Sequence, residues 1–288
     1  MPEPSARGAW LAGTNQEIRS LTEAEFEKIS QLARERFGLD LKKGKEVLVS
    51  ARLGKHLRNL PFKSFSEYYR YVVEDRTGEA LAAMIDALTT NHTGFLREPA
   101  HFEFLAKTVL PSLPPNKPLR IWSAACSTGE EPYSIAATVA EAWGYHRLPL
   151  LDILATDISR RALNSAMSGS YRPERFAGLP PEWIRTHVIP DSQSPGYKRF
   201  RPELTRRIQF RRLNLVDPFP PVGTFSVIFC RNVMIYFDRT TQERLISRLT
   251  ECLERGGYLL VGHSESLSGF HHDLEYIKPS IYRRRLRG

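Results

Sequence analysis

The chain has 288 residues, of which 41% are apolar and 25% charged. This is the composition of a globular protein and excludes a disordered tail, and a length prior of about 150 residues per domain predicts two domains. Lys and Arg outnumber Asp and Glu by 41 to 32. The resulting charge of +9 favours a partner with negative charge: nucleic acid, an anionic membrane or an acidic protein.

The sequence predicts neither secretion nor membrane insertion. Residues 1–17 lack a basic stretch followed by about 7 to 15 apolar residues, and no apolar run approaches the roughly 18 residues of a membrane span. Cys126, Cys230 and Cys252 show no CxxC spacing, and an odd number of cysteines argues against a disulfide framework. We therefore expect a cytoplasmic protein with reduced thiols.

A small helical domain is predicted at residues 21–90, after a disordered tail at residues 1–20. Thr22, followed three residues later by Glu25, resembles a capping box ahead of apolar residues at helical spacing. This pattern predicts a helix of about four turns that ends near Gly38. Further helical patterns follow at residues 43–60, 66–75 and 78–89.

The second of these helices is strongly basic. Residues 42–60 contain six Lys or Arg and the single acid Glu46, a net charge of +5. Spacing of three and seven places Lys45, Arg52 and Lys55 along one helical face. The apolar residues predicted to pack inward are Val47, Leu48, Ala51 and Leu57. We expect the basic face to bind an acidic partner; the alternative is a solvated face that only aids solubility.

The chain changes character after a predicted linker at residues 91–118. Residues 110–118 hold four prolines in nine positions, which neither a helix nor a central strand tolerates. From residue 119 to 288, short apolar runs alternate with amphipathic helices, and this alternation predicts parallel βαβ units in an open, doubly wound sheet. The predicted strands are 119–124, 151–156, 225–230 and 258–262, and the predicted helices are 132–143, 160–167 and 241–254.

An interruption of this alternation predicts a small β subdomain. Residues 196–215 mix aromatic, β-branched and charged residues in the manner of exposed antiparallel strands, and we place the insertion at about 190–213. Residues 274–285 predict a closing hairpin.

The loop after the first predicted strand is the first candidate for a ligand site, because ligands of open α/β sheets bind at the carboxyl ends of the strands. In this loop Gly129 permits a positive φ, and Pro132 suits the first position of a helix. A Gly-Lys-Ser/Thr ending and a GxGxxG turn are both missing, and Glu130 and Glu131 would repel phosphates. The loop favours a nucleoside ligand without phosphates; a purely structural turn is the alternative.

Other polar residues are predicted to lie at the same edge of the sheet. Asp157 ends the second strand, where a carboxylate can accept hydrogen bonds from both ribose hydroxyls; alternatively, it is only the N-cap of the next helix. Arg231 and Asn232 end a later strand, and Tyr236 follows. Residues 89–98 are also polar. Each segment alone is explained by loop capping, but together they indicate a site.

Five separated motifs of this chain resemble those of the CheR family, S-adenosylmethionine-dependent methyltransferases that esterify glutamates of bacterial chemoreceptors. The motifs, in the family's order, are TTNHTGFLREPAHF at 89–102, IWSAACSTGEEPYSIA at 121–136, ATDIS at 155–159, FCRNVMIYFD at 229–238 and GYLLVGHSES at 257–266. The resemblance implies an α/β fold, a doubly wound methyltransferase sheet with a small β subdomain insertion, preceded by an all-α N-terminal domain. This is the layout predicted above.

The resemblance also implies site residues and no metal. It implies that S-adenosylmethionine, with S-adenosylhomocysteine as its product, binds Asn91, Thr93, Arg97, Ala125, Glu130, Asp157, Asn214, Leu215, Arg231 and Asn232. It implies catalytic roles beside the transferring methyl for Arg97 and Tyr236. One departure is Leu96, where the family usually has a second aromatic residue; we expect local repacking without loss of activity.

The partner implied by the resemblance is the acidic helical bundle of a chemoreceptor's cytoplasmic domain. Its expected contacts are the basic helix residues Lys45, Arg52, Lys55 and Arg58. Some family members also bind a C-terminal receptor peptide by edge-strand addition to the β subdomain, for which Arg199, Arg201, Arg206 and Arg207 are candidates; a solvated charge run is an equal alternative. We expect a monomer that binds no nucleic acid and inserts into no membrane.

The implied reaction needs little acid or base help, because a glutamate carboxylate with a pKa near 4.3 is already an anionic nucleophile at pH 7. The enzyme then supplies alignment and exclusion of water.

Three rival functions fit less well. A nucleic-acid methyltransferase would show an Asn/Asp-Pro-Pro-aromatic signature or a Pro-Cys nucleophile, and the sequence has neither. A binding module without activity need not retain Glu130, Asp157, Arg97 and Tyr236. A dinucleotide oxidoreductase requires the glycine-rich pyrophosphate turn that this chain lacks.

Overall fold

A computed structural model describes residues 20–89, 92–114 and 116–286. The chain divides into two compact units, Met1–Thr90 and Asn91–Gly288. Of the tail predicted at residues 1–20, all but Ser20 lies outside the described residues. Among the helices that the structure describes, none combines the length and apolar character needed to cross a membrane.

The described part of the first unit consists of helices. They are α1 (Glu23–Phe37), α2 (Glu46–Leu57), α3 (Phe65–Glu74) and α4 (Glu79–Leu88). The capping box is confirmed, because the Thr22 side chain accepts the N–H of Glu25 while the Glu25 side chain accepts the N–H of Thr22. Gly38 ends α1 in the left-handed conformation, at φ 68°. Local sequence therefore determines both ends of this helix.

The buried face of α2 differs from the predicted one. Its buried residues are Val49, Leu53, Gly54 and Leu57. Leu57 packs inward as predicted, whereas Val47 is 82% exposed and Leu48 and Ala51 are also exposed. The helix carries two overlapping apolar stripes at helical spacing, and packing against α1 and α4 buries only one of them.

The first helix of the second unit lies where the sequence predicted a linker. Helix α5 (Ala100–Phe104), a π-helical turn (Leu105–Val109) and α6 (Leu110–Ser112) follow one another without a break. Apolar side chains of this segment are buried in the core of the unit, among them Phe102 and Leu105. The prediction that prolines exclude a helix over residues 110–118 was wrong at its start, because the helix ends one residue after Pro111.

The second unit contains a seven-stranded sheet with strand order β6-β2-β1-β7-β8-β10-β9 and a three-stranded sheet with order β3-β5-β4 in its described part. The strands are β1 (Leu119–Ala124), β2 (Leu151–Asp157), β3 (Ser170–Tyr171), β4 (Val188–Pro190), β5 (Lys198–Phe200), β6 (Ile208–Arg212), β7 (Phe225–Cys230), β8 (Leu253–Val261), β9 (Leu274–Lys278) and β10 (Ile281–Arg284). The helices are α7 (Glu130–Trp143), α8 (Arg160–Ser168), α9 (Pro181–His187), α10 (Pro202–Thr205) and α11 (Arg239–Glu251).

The large sheet confirms the doubly wound α/β prediction. In the sheet order β6-β2-β1-β7-β8, each strand pairs in parallel with the next. Only β10 runs antiparallel to its neighbours β8 and β9 in this sheet, so the predicted closing hairpin is present at residues 274–284. The parallel strands point their carboxyl ends toward one edge, and the loops that follow β1, β2, β6 and β7 lie there.

The small sheet begins earlier in the chain than the predicted insertion at about 190–213. Its strands β3 and β4 precede residue 191, and only β5 lies within the predicted range. Strand β6, expected in the subdomain, extends the large sheet instead, where Asp157 is in register with Arg212. Strands of two and three residues are too short to show an alternating pattern, which explains the misplaced boundaries.

Candidate active site

The loop after β1 has an unusual backbone. Ala125, Ser127 and Gly129 adopt positive φ angles of 69°, 49° and 98°. A Cβ at position 129 would lie 2.8 Å from Oη of Tyr171 and 2.9 Å from Cβ of Ala166, so both conformation and space require glycine. Helix α7 begins directly afterwards, with Gly129 as its N-cap. Pro132 is therefore the third residue of the helix, and not the first as predicted.

Asp157 connects the end of β2 to this loop. Its Oδ2 accepts the backbone N–H of Ser127 at 2.8 Å, and its Oδ1 accepts that of Ser159 at 2.8 Å. The N-cap of α8 is Ser159, whose hydroxyl accepts the N–H of Ala162. The alternative interpretation of Asp157 as an N-cap is therefore wrong, and this buried carboxylate instead holds two segments together at the strand ends.

The segment after β6 lies beside Asp157. The N–H of Leu213 donates to the Asp157 carbonyl at 3.1 Å. Oδ1 of Asn214 accepts the N–H of Val216, and the carbonyl of the buried Leu215 accepts a hydrogen bond from Arg248 at 2.8 Å. The structure thus brings Asn214 and Leu215 to the strand end that carries Asp157.

Glu130 is buried and compensated by an arginine that sequence reasoning missed. Its carboxylate accepts the hydroxyl of Thr128 at 2.6 Å and an Nη2–H group of Arg175. Arg175 also donates to the carbonyl of Thr93 at 3.2 Å. A buried carboxylate is costly without such a partner. Arg175 therefore links two predicted site residues, Thr93 and Glu130, although no motif marked it.

Arg231 joins the residues after β7 to the segment before α5. Its buried guanidinium donates to Oε2 of Glu131 at 2.9 Å, to Oε2 of Glu98 at 2.9 Å and to the carbonyl of Arg97. The guanidinium also lies over the ring of Phe102, 5.6 Å from its centroid. Burial raises the pKa of Glu131, and Arg231 opposes that rise. This network holds together positions that are 100 and 133 residues apart in the chain.

Glu98 is the second residue that sequence reasoning missed. It adopts a left-handed φ of 59°, and its Oε1 accepts Nδ2 of Asn232 and the backbone N–H of His263, each at 3.2 Å. Burial would raise the pKa of Glu98, but Arg231 and these hydrogen bonds lower it below its ordinary value. The sequence feature that could have identified Glu98 as a site residue is its position inside the motif at residues 89–102.

Beside Glu98 lie two imidazoles, and the three side chains place potential ligand atoms within 4.8 Å of one another, the one such group among the described residues. His101 is 1% exposed, and burial together with Arg231 lowers its pKa to about 4. Both oxygens of Glu98 already accept hydrogen bonds, and the Arg231 guanidinium repels cations. We therefore assign no metal to this cluster of Glu98, His101 and His263.

The two predicted catalytic residues lie in the segments that Arg231 joins. Arg97 donates from its guanidinium to the carbonyl of His92 at 2.8 Å. Tyr236 ends a 3₁₀ turn (Met234–Tyr236) and is 37% exposed. Ala125, another predicted site residue, lies in the loop after β1 with a positive φ of 69°. Asn91, the remaining predicted site residue, lies outside the described residues.

The site geometry agrees with a family assignment from sequence comparison. The chain matches the model of the CheR methyltransferase all-alpha domain over residues 24–89 and that of the CheR methyltransferase SAM binding domain over residues 91–282. The chain belongs to the CheR methyltransferase family. Its expected CheR architecture, an all-α domain followed by a mostly parallel sheet with a small antiparallel one, is confirmed.

Similar proteins cover the chain almost end to end. A chemotaxis protein methyltransferase of Borreliella burgdorferi is 37% identical over 273 residues, which is 92% of this chain and 95% of that protein. A chemotaxis protein methyltransferase of Klebsiella aerogenes is 39% identical over 277 residues, 96% and 94% of the two chains. Among solved structures, PKMT2 from Rickettsia typhi aligns with a TM-score of 0.37 at 13% identity, over 59% of this chain and 26% of that chain.

The CheR-family chain is a methyltransferase with S-adenosylmethionine as its cofactor. The donor set fits this molecule. Glu130 and Asp157 suit a ligand with an amine and ribose hydroxyls, and the loop after β1 lacks the lysine and glycine pattern of a phosphate site.

Proposed function

We propose that this chain transfers the methyl group of S-adenosylmethionine to glutamate side chains of bacterial chemoreceptors, and that the methyl esters tune receptor signalling. The observation that carries the proposal is the Arg231 network, which holds residues 97–98 against the strand end that precedes Tyr236. It supports a single site that contains the cofactor-binding loops and both catalytic candidates. The chemotaxis methyltransferases to which the chain is similar support the receptor as substrate.

In this proposal, different parts of the cofactor contact residues that follow different strands. Asp157 holds the ribose, and Glu130 faces the amino-acid or sulfonium region. Asn214 and Leu215 flank the adenine. The remaining contacts are Asn91, Thr93, Arg97, Ala125, Arg231 and Asn232. The hydrogen bonds of Arg175 to Thr93 and Glu130 support this set, because they bring the residues 92–98 segment to the loop after β1.

The chemistry is a displacement at a methyl carbon, for which the cofactor supplies a methyl group on a sulfonium. A glutamate oxygen forms the new O–C bond as the S–C bond breaks, and no proton moves, because the carboxylate is already ionised at pH 7. Arg97 and Tyr236 donate hydrogen bonds to this carboxylate and align it. Alignment and exclusion of water are the main contributions, since too strong a hold on the ground state would slow the reaction.

Helix α2 provides the contact with the acidic receptor bundle, but with a different set of residues from the predicted four. Lys45, Lys55 and Arg58 are exposed. Arg52 is only half-exposed, and its guanidinium donates to the carbonyl of Leu88 at 2.5 Å, at the end of α4. The receptor contact therefore rests on the three exposed cations, while Arg52 holds two helices together. The exposed Val47 adds an apolar surface to this face.

A second receptor contact in this proposal is a C-terminal receptor peptide on the β subdomain. Residues 170–205, which contain the small sheet, hold six Lys or Arg against four Asp or Glu. Strand β4 pairs with β5 on one side and is an edge of the small sheet. An acidic peptide end that adds a strand beside β4 would meet this positive potential.

Methylation of receptor-containing membranes with labelled S-adenosylmethionine tests the function. We expect incorporation that is released as methanol by base, as a glutamate methyl ester requires. Salt should slow the reaction at limiting receptor, because the Debye length falls from about 30 Å at 0.01 M to about 10 Å at 0.1 M. A parent protein that binds the cofactor but leaves every receptor glutamate unmodified would refute the proposal.

A charge reversal tests the receptor surface. The Lys55→Glu, Arg58→Glu variant should lose most of the rate at low salt and bind the cofactor normally. The matched control is Lys28→Glu, Lys63→Glu, which makes the same change in charge at exposed positions of the same unit. Equal loss in both variants, or loss in neither, would show that α2 is not the receptor contact.

A further inference from the structure

Glu265 is a buried carboxylate in the GHSES motif that has no part in the function described so far. It lies in the loop after β8 and is 7% exposed. Its Oε2 accepts the backbone N–H groups of Gly262 at 2.6 Å and Asn232 at 2.8 Å. Its Oε1 accepts those of Met234 at 2.7 Å and Ile235 at 3.3 Å.

Three of these four donors belong to one loop, residues 231–236, which connects β7 to the turn of Tyr236. A carboxylate is an acceptor only, with about four lone-pair sites, and here four N–H groups converge on it. Hydrogen bonds to an ionised acceptor are about twice as strong as neutral ones. Glu265 therefore determines the backbone path of the loop, including the left-handed φ of 57° at Asn232.

The loops after β7 and β8 touch at this carboxylate. A Cβ at Gly262 would lie 2.4 Å from Nδ2 of Asn232 and 2.8 Å from Oε2 of Glu265, so no larger residue fits between them. Burial raises the pKa of Glu265, and the four backbone hydrogen bonds oppose that rise. A buried carboxylate that accepts only backbone N–H groups is costly to keep for stability alone.

Glu98 and Glu265 accept hydrogen bonds from different kinds of donor. Glu98 accepts from the side chains of Arg231 and Asn232, whereas Glu265 accepts from backbone N–H groups of Asn232, Met234 and Ile235. Loss of Glu265 would leave the ion pairs of Arg231 with Glu98 and Glu131 in place and would move the loop.

We infer that Glu265 is a positioning residue for methyl transfer, which sets the loop at residues 231–236 so that Tyr236 meets the incoming carboxylate. This inference rests on the proposed role of Tyr236. A misplacement of about 1 Å at a reacting group costs roughly 100-fold in rate. Glu265 acts through the loop and touches neither substrate nor cofactor.

The Glu265→Gln and Glu265→Asp variants separate positioning from packing. Gln has the shape of Glu, but its NH₂ group would face two N–H donors; Asp is shorter but keeps an ionised acceptor. If Glu265 positions the loop, kcat should fall about tenfold or more in Glu265→Gln and less in Glu265→Asp. If the residue only fills space, the order of the two variants is reversed, and that result would overturn the inference.

Three readouts accompany kcat: the cofactor Kd by calorimetry, thermal unfolding, and hydrogen exchange of the Met234 and Ile235 amides. We expect kcat to fall by a larger factor than the cofactor affinity, because Asn232 in the same loop is itself a proposed cofactor contact, and we expect faster amide exchange in Glu265→Gln, because its loop loses acceptors. The control Glu275→Gln, the same change at an exposed position of β9, should match the parent. Parental exchange rates and kcat in a folded Glu265→Gln variant would refute the positioning role.

The two proposals fail in different ways. If Glu265→Gln does not fold, Glu265→Asp decides: a larger fall in kcat than in cofactor affinity supports positioning, and a proportionate loss of both contradicts it. If the parent protein does not methylate receptors, the proposed function fails, while amide exchange still reports whether Glu265 holds the loop.

Discussion

Asp157 accepts the backbone N–H of Ser127 at 2.8 Å, across 30 positions of the chain. Ser127 has a left-handed φ of 49°, a conformation that a non-glycine residue keeps only when its surroundings hold it. The carboxylate proposed to bind the ribose therefore also holds the loop proposed to approach the cofactor. The two functions of Asp157 cannot be separated by substitution.

Replacement of Asp157 should weaken cofactor binding. In Asp157→Ala we expect the affinity for S-adenosylmethionine to fall tenfold or more, because hydrogen bonds to a charged group contribute about 1.5 to 3 kcal/mol. Calorimetry measures this directly. Asp152→Ala is the matched control, since Asp152 lies on the same strand and pairs with Arg120 at 3.2 Å. An unchanged Kd in a folded Asp157→Ala variant would contradict the ribose assignment.

Substitution of the two catalytic candidates should affect turnover more than binding. We expect Arg97→Ala and Tyr236→Phe to lower kcat by about tenfold or more, because each removes a donor to the reacting carboxylate. The cofactor Kd should change less than kcat. Tyr276→Phe, at an exposed tyrosine on β9, is the control. Proportionate losses of kcat and affinity would show that the residue is only a wall of the pocket.

Loss of Arg231 should destabilise the second unit. Arg231→Met leaves Glu98 and Glu131 without their buried partner, and breaking a buried ion pair costs roughly 3 to 5 kcal/mol. Chemical denaturation should show this loss, with partial recovery in the double variant with Glu131→Gln, which removes one of the two orphaned charges. Arg255→Met, in a pair with Asp273 at 3.9 Å, should cost less than about 1 kcal/mol. Equal losses of stability in Arg231→Met and Arg255→Met would contradict the stabilising role of the Arg231 network.

The first unit should depend on Arg52 for stability. Arg52→Ala removes the hydrogen bond to the Leu88 carbonyl, and we expect the free energy of unfolding of this unit to fall by about 1 to 3 kcal/mol. Lys55→Ala, three residues later at an exposed position, should stay within about 0.5 kcal/mol of the parent. If both variants are as stable as the parent, Arg52 is available for the receptor after all.

His101 should make stability depend on pH. Its pKa is about 4 in the folded protein, and an unfolded histidine has a pKa near 6.5. Between these values the unfolded state binds the proton first, so the free energy of unfolding falls as the pH drops from 6.5 to 4, by roughly 1 to 3 kcal/mol. His101→Gln should reduce this fall and leave the difference between parent and variant flat from pH 7 to 8. If the free energies of unfolding of the parent and His101→Gln fall in parallel between pH 6.5 and 4, the predicted contribution of His101 is wrong.

Much of this protein follows from local sequence. Thr22, Glu25 and Gly38 determine one helix, because capping residues act within a single turn. The apolar run Phe225–Cys230 is a buried parallel strand over the predicted residues, since both of its faces are covered. The separated motifs identify the family and hence the cofactor, because their order and residues are specific even where each motif alone is weak.

Tertiary structure decided what depends on distant neighbours. The apolar pattern of α2 allowed Val47 or Val49 to face inward, and only packing in the helical unit selected Val49. Arg231 meets Glu98 across 133 positions, and Glu265 receives the N–H groups of a loop some 30 residues away. The sequence pattern of a helix or strand gives the periodicity of that element but does not identify the elements that pack against it. The partners of buried charges are therefore set by the packing that brings strand ends together.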